Sequence, residues 1–236
     1  MAIQDFSKTK ALNNIPSKKL DEVIYSIQKS EGSLLSKNTK INAVNRFAES
    51  NIPIEYWRLK MDKDFVGDPR LLNKYKEYVL DIRSSYFNGT SICLAGNHGL
   101  GKSYVLCSIL KHAALKGYSS LYTTISDIVA ALTQSDSNDK FLAKRELTMV
   151  DFLVIDELDY RFFSSDNAKD LYGRTFETII RTRLQNKLPT LMATNSPNIK
   201  ENFMSLFKDS LGSLLNRVEI FSVMPGADFR KTMVQK

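Results

Sequence analysis

Eight consecutive residues, Gly96-Asn97-His98-Gly99-Leu100-Gly101-Lys102-Ser103, have the types and spacing that hold a chain of phosphates. They satisfy every fixed position of the pattern G-x-x-x-x-G-K-[ST]. Glycines let the backbone wrap an anion without Cβ clashes. A lysine in this place can reach the β- and γ-phosphates of a nucleotide, and the serine hydroxyl can ligate Mg²⁺. A second cluster is Asp156-Glu157, at the end of the apolar run Phe152-Leu153-Val154-Ile155. An acid at the carboxyl end of a sheet strand lies where ligands bind. Asp156 is therefore expected to hold Mg²⁺, and Glu157 to orient and deprotonate an attacking water as a general base. Asn195, after Leu191-Met192-Ala193-Thr194, could touch the γ-phosphate or that water; Asn195-Ser196-Pro197 is equally good turn chemistry. Arg217 could neutralise charge on a transferring phosphoryl group, supplied from a neighbouring subunit, or could form a surface salt bridge.

Such groups work only if the elements around them bring them together. Ser91–Ala95 reads as a short buried strand. Val105, Leu106, Ile109, Leu110 and Ala113 recur at helical spacing in Tyr104–Lys116. The glycine-rich loop is thus expected between a strand and a helix, where backbone N–H groups and the positive helix end face an anion. Beyond it, strand and helix patterns alternate. Strands are expected at Ser119–Thr124, Phe152–Ile155, Pro189–Thr194 and Val218–Val223. Helices are expected at Ser126–Leu132, with Ser126 as a cap, at Asp139–Leu147 and at Ala168–Asn186. Within Asp139–Leu147, Phe141, Leu142 and Leu147 form the apolar set, and Lys140, Lys144 and Arg145 are exposed. Asn88-Gly89 is a turn signal before the first strand, and Pro69–Phe87 reads as one helix. The alternation predicts a three-layer α/β domain with a mainly parallel sheet.

The chain of 236 residues, 43% hydrophobic and 25% charged, suits one soluble globular domain with an extension. Residues 1–50 differ in composition, with eight Lys or Arg against five Asp or Glu. They hold two short helical patterns. The first, Ser17–Gln28, has Leu20, Val23, Ile24 and Ile27 on one face and stops at Gly32; the second, Thr39–Ser50, has Ile41, Val44 and Phe47. Both are too short to be stable alone, so they dock either on their own domain or on a partner. Asn51-Ile52-Pro53 is an extended connector. The organisation expected is a helical N-terminal partner-binding arm over 1–50 and an ATPase domain over 51–236. A net charge of +7 is consistent with a polyanionic partner or simply with a basic surface. Cys93 and Cys107 read as small core residues of a protein in a reducing cytosol. His98 and His112 offer no zinc spacing. No run reaches membrane-spanning length, and no signal-peptide core is present, so a cytoplasmic location is expected.

Taken in order, Gly-Asn-His-Gly-Leu-Gly-Lys-Ser, Phe-Leu-Val-Ile-Asp-Glu, Leu-Met-Ala-Thr-Asn and Leu-Leu-Asn-Arg-Val resemble an AAA+ ATPase. More narrowly, the chain resembles the DnaC/IstB type, which comprises bacterial and phage helicase loaders and transposition helper ATPases. Asn51-Ile-Pro before the core, Asp127–Leu132 after the second strand, and Arg181-Thr-Arg183 followed by Pro189-Thr190 fit that branch. Asp228-Phe229-Arg230 stands where the branch often has Ser-Tyr-Arg, a departure that leaves the role of Arg230 open. The resemblance implies an AAA+ P-loop core with a mainly parallel sheet and no C-terminal helical lid. It implies ATP and Mg²⁺ as cofactors, a sensor role for Asn195, and a role for Arg217 as the arginine finger of a neighbouring subunit in a homo-oligomeric spiral or ring.

The function expected is an ATP-dependent loader that delivers a hexameric replicative helicase onto single-stranded DNA. The N-terminal arm would grip the helicase, and Lys140, Lys144 and Arg145 are candidate contacts to the DNA backbone or else a solvated helix face. The alternative is an IstB-type helper that assembles on duplex DNA for a transposase. A small-molecule kinase would need an acceptor pocket and a mobile basic lid, which the sequence does not offer. A non-hydrolysing switch is argued against by Glu157.

Overall fold

A computed structural model describes residues 37–133, 136–159, 173–196 and 216–224, with single positions at 198, 201, 214 and 226. The expected helix at Ser17–Gln28, the first residues of the Ala168–Asn186 helix and the Asp228-Phe229-Arg230 motif lie outside the described residues.

Five strands form one sheet: β1 (Ile92–Ala95), β2 (Ser120–Thr124), β3 (Phe152–Asp156), β4 (Thr190–Thr194) and β5 (Glu219–Ser222). Their order is β2-β3-β4-β1-β5, and every pairing is parallel. Parallel strands need crossovers that cover both faces, and the burial divides accordingly. Ile92, Leu94, Phe152, Val154, Leu191 and Ala193 face one apolar cluster, shared with α1 (Lys37–Glu49), α3 (Pro69–Leu80) and α5 (Lys102–Leu115). Cys93, Ala95, Leu153, Ile155 and Met192 face the other, shared with α6 (Ile125–Leu132), α7 (Ser137–Met149) and α8 (Arg174–Gln185). Strands β1, β3 and β4 are buried at every position, and the runs Ile92–Ala95, Phe152–Ile155 and Leu191–Ala193 are apolar because both of their faces are covered. Two small helices, α2 (Met61–Asp64) and α4 (Ile82–Asn88), and a single 3-10 turn at Ile54–Tyr56 complete the described set. Both cysteines are free and buried, Cys93 and Cys107 facing opposite clusters.

Four expectations change. Pro69–Phe87 is two helices, because Asp81 leaves the helical region (φ −128°, ψ 62°) and its carboxylate accepts the Ser84 N–H, capping α4. The cap of α6 is Thr124 rather than Ser126; Thr124 and Asp127 form a reciprocal capping box. Phe141 and Leu142 are exposed and Lys140 is half-buried, because α7 is buried only near its end, through Leu147 and Thr148.

The fourth concerns residues 37–49. Val44, Phe47 and Ala48 of α1 are buried in the same cluster as β1 and α5, and Arg46 Nη1 donates to Ala114 O at 2.7 Å. Burying a Val or Phe contributes about 1.5–3 kcal/mol, a large share of a domain's net stability of about 5–15 kcal/mol. This helix is therefore part of the packed domain. Its end is a Schellman turn: Ile52 N–H donates to Phe47 O, Asn51 N–H to Ala48 O, and Asn51 takes the left-handed conformation (φ 53°). The Asn-Ile-Pro connector is this turn followed by a proline that cannot continue the helix.

Arg183 of α8 has no exposed surface. Its guanidinium donates to Leu147 O (3.0 Å), Val150 O (2.8 Å), Pro189 O (2.8 Å) and Thr190 Oγ1 (3.0 Å). It thereby ties the end of α7 and the turn into β3 to the start of β4. Burial lowers its pKa to about 9, with the nearby Asp151 carboxylate acting in the opposite direction. Arg183→Ala would leave several buried carbonyls without donors, each costing about 1–3 kcal/mol, and would open a cavity. We expect a loss of at least about 3 kcal/mol in urea unfolding. Arg183→Lys should not rescue it, because an ammonium cannot present the guanidinium fork. A change below about 1 kcal/mol would mean that water satisfies these carbonyls instead.

Candidate active site

The sheet order explains why motifs far apart in sequence meet. β4 lies between β1 and β3, so their carboxyl ends form one edge. The turn Gly96–Gly101 follows β1, Asn195 follows β4, and Asp156 ends β3. Backbone bonds weld this edge together: Gly96 N–H donates to Thr194 O (3.3 Å), Leu158 N–H to Ala193 O (2.9 Å) and Val223 N–H to Ala95 O (2.8 Å).

Within the loop, two glycines are required by what surrounds them. Gly101, the residue before α5, has φ 79°, and a Cβ there would come within 2.8 Å of the Phe65 ring. Gly96 has φ 154°, and a Cβ would meet Val223 O at 3.0 Å. Lys102 opens α5 and is buried. Its Nζ donates to Gly96 O (2.8 Å), Asn97 O (2.7 Å) and Asn195 Oδ1 (3.0 Å). Lys102 and Asn195, 93 positions apart, are thus in direct contact. Asn97 and His98 are exposed, Gly99 and Ser103 half-buried, and Leu100 is buried as the loop's apolar anchor.

Asp156 is buried, and both of its oxygens have donors: Glu157 N–H to Oδ1 (2.8 Å) and the Tyr122 hydroxyl to Oδ2 (2.9 Å). Glu157 is exposed and left-handed (φ 53°), a conformation costing about 1–2 kcal/mol for a residue with a Cβ. Backbone strain of this kind collects at functional sites. Here it is held by the Leu158 bond to β4 and by the bond to Asp156 Oδ1.

Arg217 is elsewhere. It precedes β5, whose first residue Glu219 pairs with Ile92, the first residue of β1. It therefore lies at the amino edge of the sheet, opposite the loop that follows Ala95, with roughly 10 Å of strand between. It is exposed, and Nη2 donates to Leu184 O (2.9 Å) at the end of α8. Lys140, Lys144 and Arg145 are on α7, which packs on the sheet face opposite α5, with Lys144 and Arg145 exposed beside Phe141 (64% exposed) and Met149 (60%).

The sequence reading did not single out an aromatic wall next to the loop. Tyr104 stacks on Tyr56 (6.2 Å) and on Phe65 (6.0 Å). The connector that carries Tyr56 is fastened by Lys111, whose Nζ donates to Tyr56 O (2.7 Å) and Leu59 O (2.6 Å) and whose pKa burial lowers to about 8. Nothing in the local pattern announces these partners, because each lies tens of residues away.

The five-stranded parallel sheet, with a glycine-rich phosphate loop on β1, an Asp-Glu pair on β3 and an amide on β4, is the core of a P-loop nucleotide-binding protein of the AAA+ kind. Residues 69–216 match the family described as IstB-like ATP binding protein, and the chain belongs to that family. It is 27% identical over 202 residues to the replicative helicase loader DnaC of Escherichia coli K12, covering 79% of this chain and 77% of DnaC. It is 26% identical over 144 residues to the replicative helicase loader DnaI of Bacillus subtilis, covering 58% of this chain and 45% of DnaI. Among solved structures, a DnaC helicase loader superposes with a TM-score of 0.58 at 21% identity, over 72% of this chain and 98% of that one. A DNA replication initiation factor superposes with a TM-score of 0.60 at 17% identity, over 75% of this chain; the match spans about half of the initiator's length (53%). At these identities the superpositions speak for the fold. Among the described residues, no helix is long and apolar enough to cross a membrane.

Proposed function

We propose that this chain is an ATPase that loads a hexameric replicative helicase onto single-stranded DNA, hydrolysing ATP between its own subunits. The observation that carries the interfacial part is the division of the site between two edges. Lys102, Asn195, Asp156 and Glu157 share the carboxyl edge, whereas Arg217 is exposed on the other. An arginine so placed serves a neighbour's phosphates and not its own. In a head-to-tail assembly each junction then combines one chain's loop with the next chain's Arg217.

In this reading the backbone N–H groups of Gly96–Ser103 and the start of α5 bind the phosphates. Lys102 exchanges its carbonyl partners for the β- and γ-phosphate oxygens, and Asn195 senses the γ-phosphate. Glu157 takes the proton from the attacking water. Among the described residues, no group of three or more His, Cys, Asp or Glu could hold a metal. A nucleotide-borne Mg²⁺ does not need one, since it takes one or two hard protein oxygens and fills its shell with phosphate and water. The Ser103 hydroxyl and the Asp156 carboxylate are such donors and would hold it. When bound it neutralises charge on the phosphates. On α7, exposed Phe141 beside Lys144 and Arg145 supports a stacking and backbone contact to single-stranded nucleic acid.

Likeness to DnaC and DnaI over most of the domain favours a helicase as partner, and residues before α1 are the segment we assign to gripping it. Because α1 is packed in the domain, the test removes 1–36 and keeps 37–236. We expect the truncated chain to bind a fluorescent ATP analogue like the full chain, yet to lose capture of a purified hexameric replicative helicase. The full chain should place that helicase on single-stranded circles in an ATP-dependent manner. Capture of a purified transposase with duplex DNA, and not of the helicase, would replace the loader reading with the transposition-helper one.

A further inference from the structure

We infer that Tyr122 is a positioning residue for the Asp156 carboxylate, and that Asn51 at the end of α1 anchors Tyr122 in turn. The inference deepens the proposed function and rests on its reading of Asp156 as the carboxylate that holds nucleotide-borne Mg²⁺.

The geometry follows from strand register. Tyr122 pairs with Val154, and Thr124 with Asp156. Side chains two residues apart share a face, so Tyr122 and Asp156 are diagonal neighbours on one face of adjacent strands. That separation is about 7–8 Å between Cα atoms, within reach of an aromatic side chain. The Tyr122 hydroxyl closes it with a 2.9 Å bond to Oδ2, while Oδ1 is held by the Glu157 N–H. The carboxylate is therefore fixed at both oxygens, and each keeps a lone pair for a ligand. A phenol, with an ordinary pKa of about 10, keeps its proton at neutral pH and donates to the carboxylate oxygen.

Tyr122 is itself held from outside the sheet. β2 is an edge strand, whose outer N–H and C=O groups would otherwise go unpaired. At Tyr122 both are taken by the turn that ends α1: Tyr122 N–H donates to Ser50 O (2.8 Å), and Asn51 Nδ2 donates to Tyr122 O (3.0 Å). The turn presents its amide because Asn51 accepts the left-handed conformation that the Schellman motif demands. A continuous set of contacts thus runs from α1, through Asn51 and Tyr122, to the Asp156 carboxylate. Since α1 follows directly on the segment assigned to the partner, a displacement of α1 on engagement would reach Asp156 by this route.

The test is a Mg²⁺ titration of fluorescent ATP-analogue binding, without turnover, backed by direct Mn²⁺ binding read by electron paramagnetic resonance. Tyr122→Phe keeps the ring and removes only the hydroxyl. Loss of an outer-shell partner lowers metal affinity about 10–100-fold, so the half-saturating Mg²⁺ should rise about 10-fold, with analogue affinity in EDTA unchanged. Asn51→Gly keeps the left-handed turn and removes the amide, and should shift the titration the same way by less. On an Asp156→Asn background, Tyr122→Phe should add nothing further, since the partner is already gone. A wild-type titration in Tyr122→Phe, with Asp156→Asn clearly shifted, would overturn the inference while leaving the site reading intact. If Asp156→Asn itself leaves the titration unmoved, the reading of Asp156 fails, and this inference with it.

Discussion

Mixing Arg217→Ala chains with Lys102→Ala chains is expected to restore ATP hydrolysis that neither performs alone. Lys102→Ala removes the cation that meets the phosphates and also leaves Gly96 O, Asn97 O and Asn195 Oδ1 without their donor, so binding and turnover should both collapse. Arg217→Ala leaves its own loop complete and deprives only the neighbour. Arginines in this role contribute about 10³–10⁵-fold to the rate. In a random equal mixture, about a quarter of head-to-tail junctions join a sound loop to a sound arginine. Activity recovered at those junctions should stand far above either parent. Single-stranded DNA should raise it if DNA promotes assembly, and salt should weaken that DNA effect. Arg217 also donates to Leu184 O, so the melting temperature of Arg217→Ala must be checked against wild type. If both variants fold, self-associate and bind DNA, yet the mixture stays inactive, Arg217 does not act across subunits.

Glu157→Gln should separate binding from chemistry. The amide keeps the size of the side chain and removes the base. A positioned general base contributes about 10²–10⁴-fold, so turnover should fall by about that factor. ATP-analogue affinity should stay near wild type, because Glu157 is exposed and the loop, Lys102 and Asp156 are untouched. Its backbone strain is a property of the position, fixed by the Leu158 bond to β4, so folding stability should also change little. The variant should accumulate ATP-bound assemblies, visible as a persistent higher-mass species by light scattering. Turnover at the wild-type rate would mean that another group activates the water.

The phosphate loop could be read from the sequence because its chemistry is contiguous: three glycines, a lysine and a serine at set intervals need only their own backbone. Strands β1, β3 and β4 could be read because a strand buried on both faces carries a continuous apolar run at its centre. The end of α1 was also legible to within a residue, since Pro53 disfavours helix at Ile52 and the expected helix stops at Ser50. What stayed hidden depends on groups distant in the chain. The apolar spacing from Pro69 to Phe87 continues past Asp81, but the Asp81 carboxylate bonds to Ser84 N–H and splits the helix. Phe141 follows an apolar pattern, yet α7 reaches the core only at its far end. The residue types at Lys102, Asp156 and Glu157 pointed to nucleotide chemistry in the sequence alone, whereas Asn195 and Arg217 took their expected roles only from the resemblance to the family. Only the strand order, with β4 between β1 and β3, brings Asn195 to Lys102 and sends Arg217 to the opposite edge, because hydrogen-bonded neighbours in a parallel sheet are chosen by packing across its two faces and not by proximity along the chain.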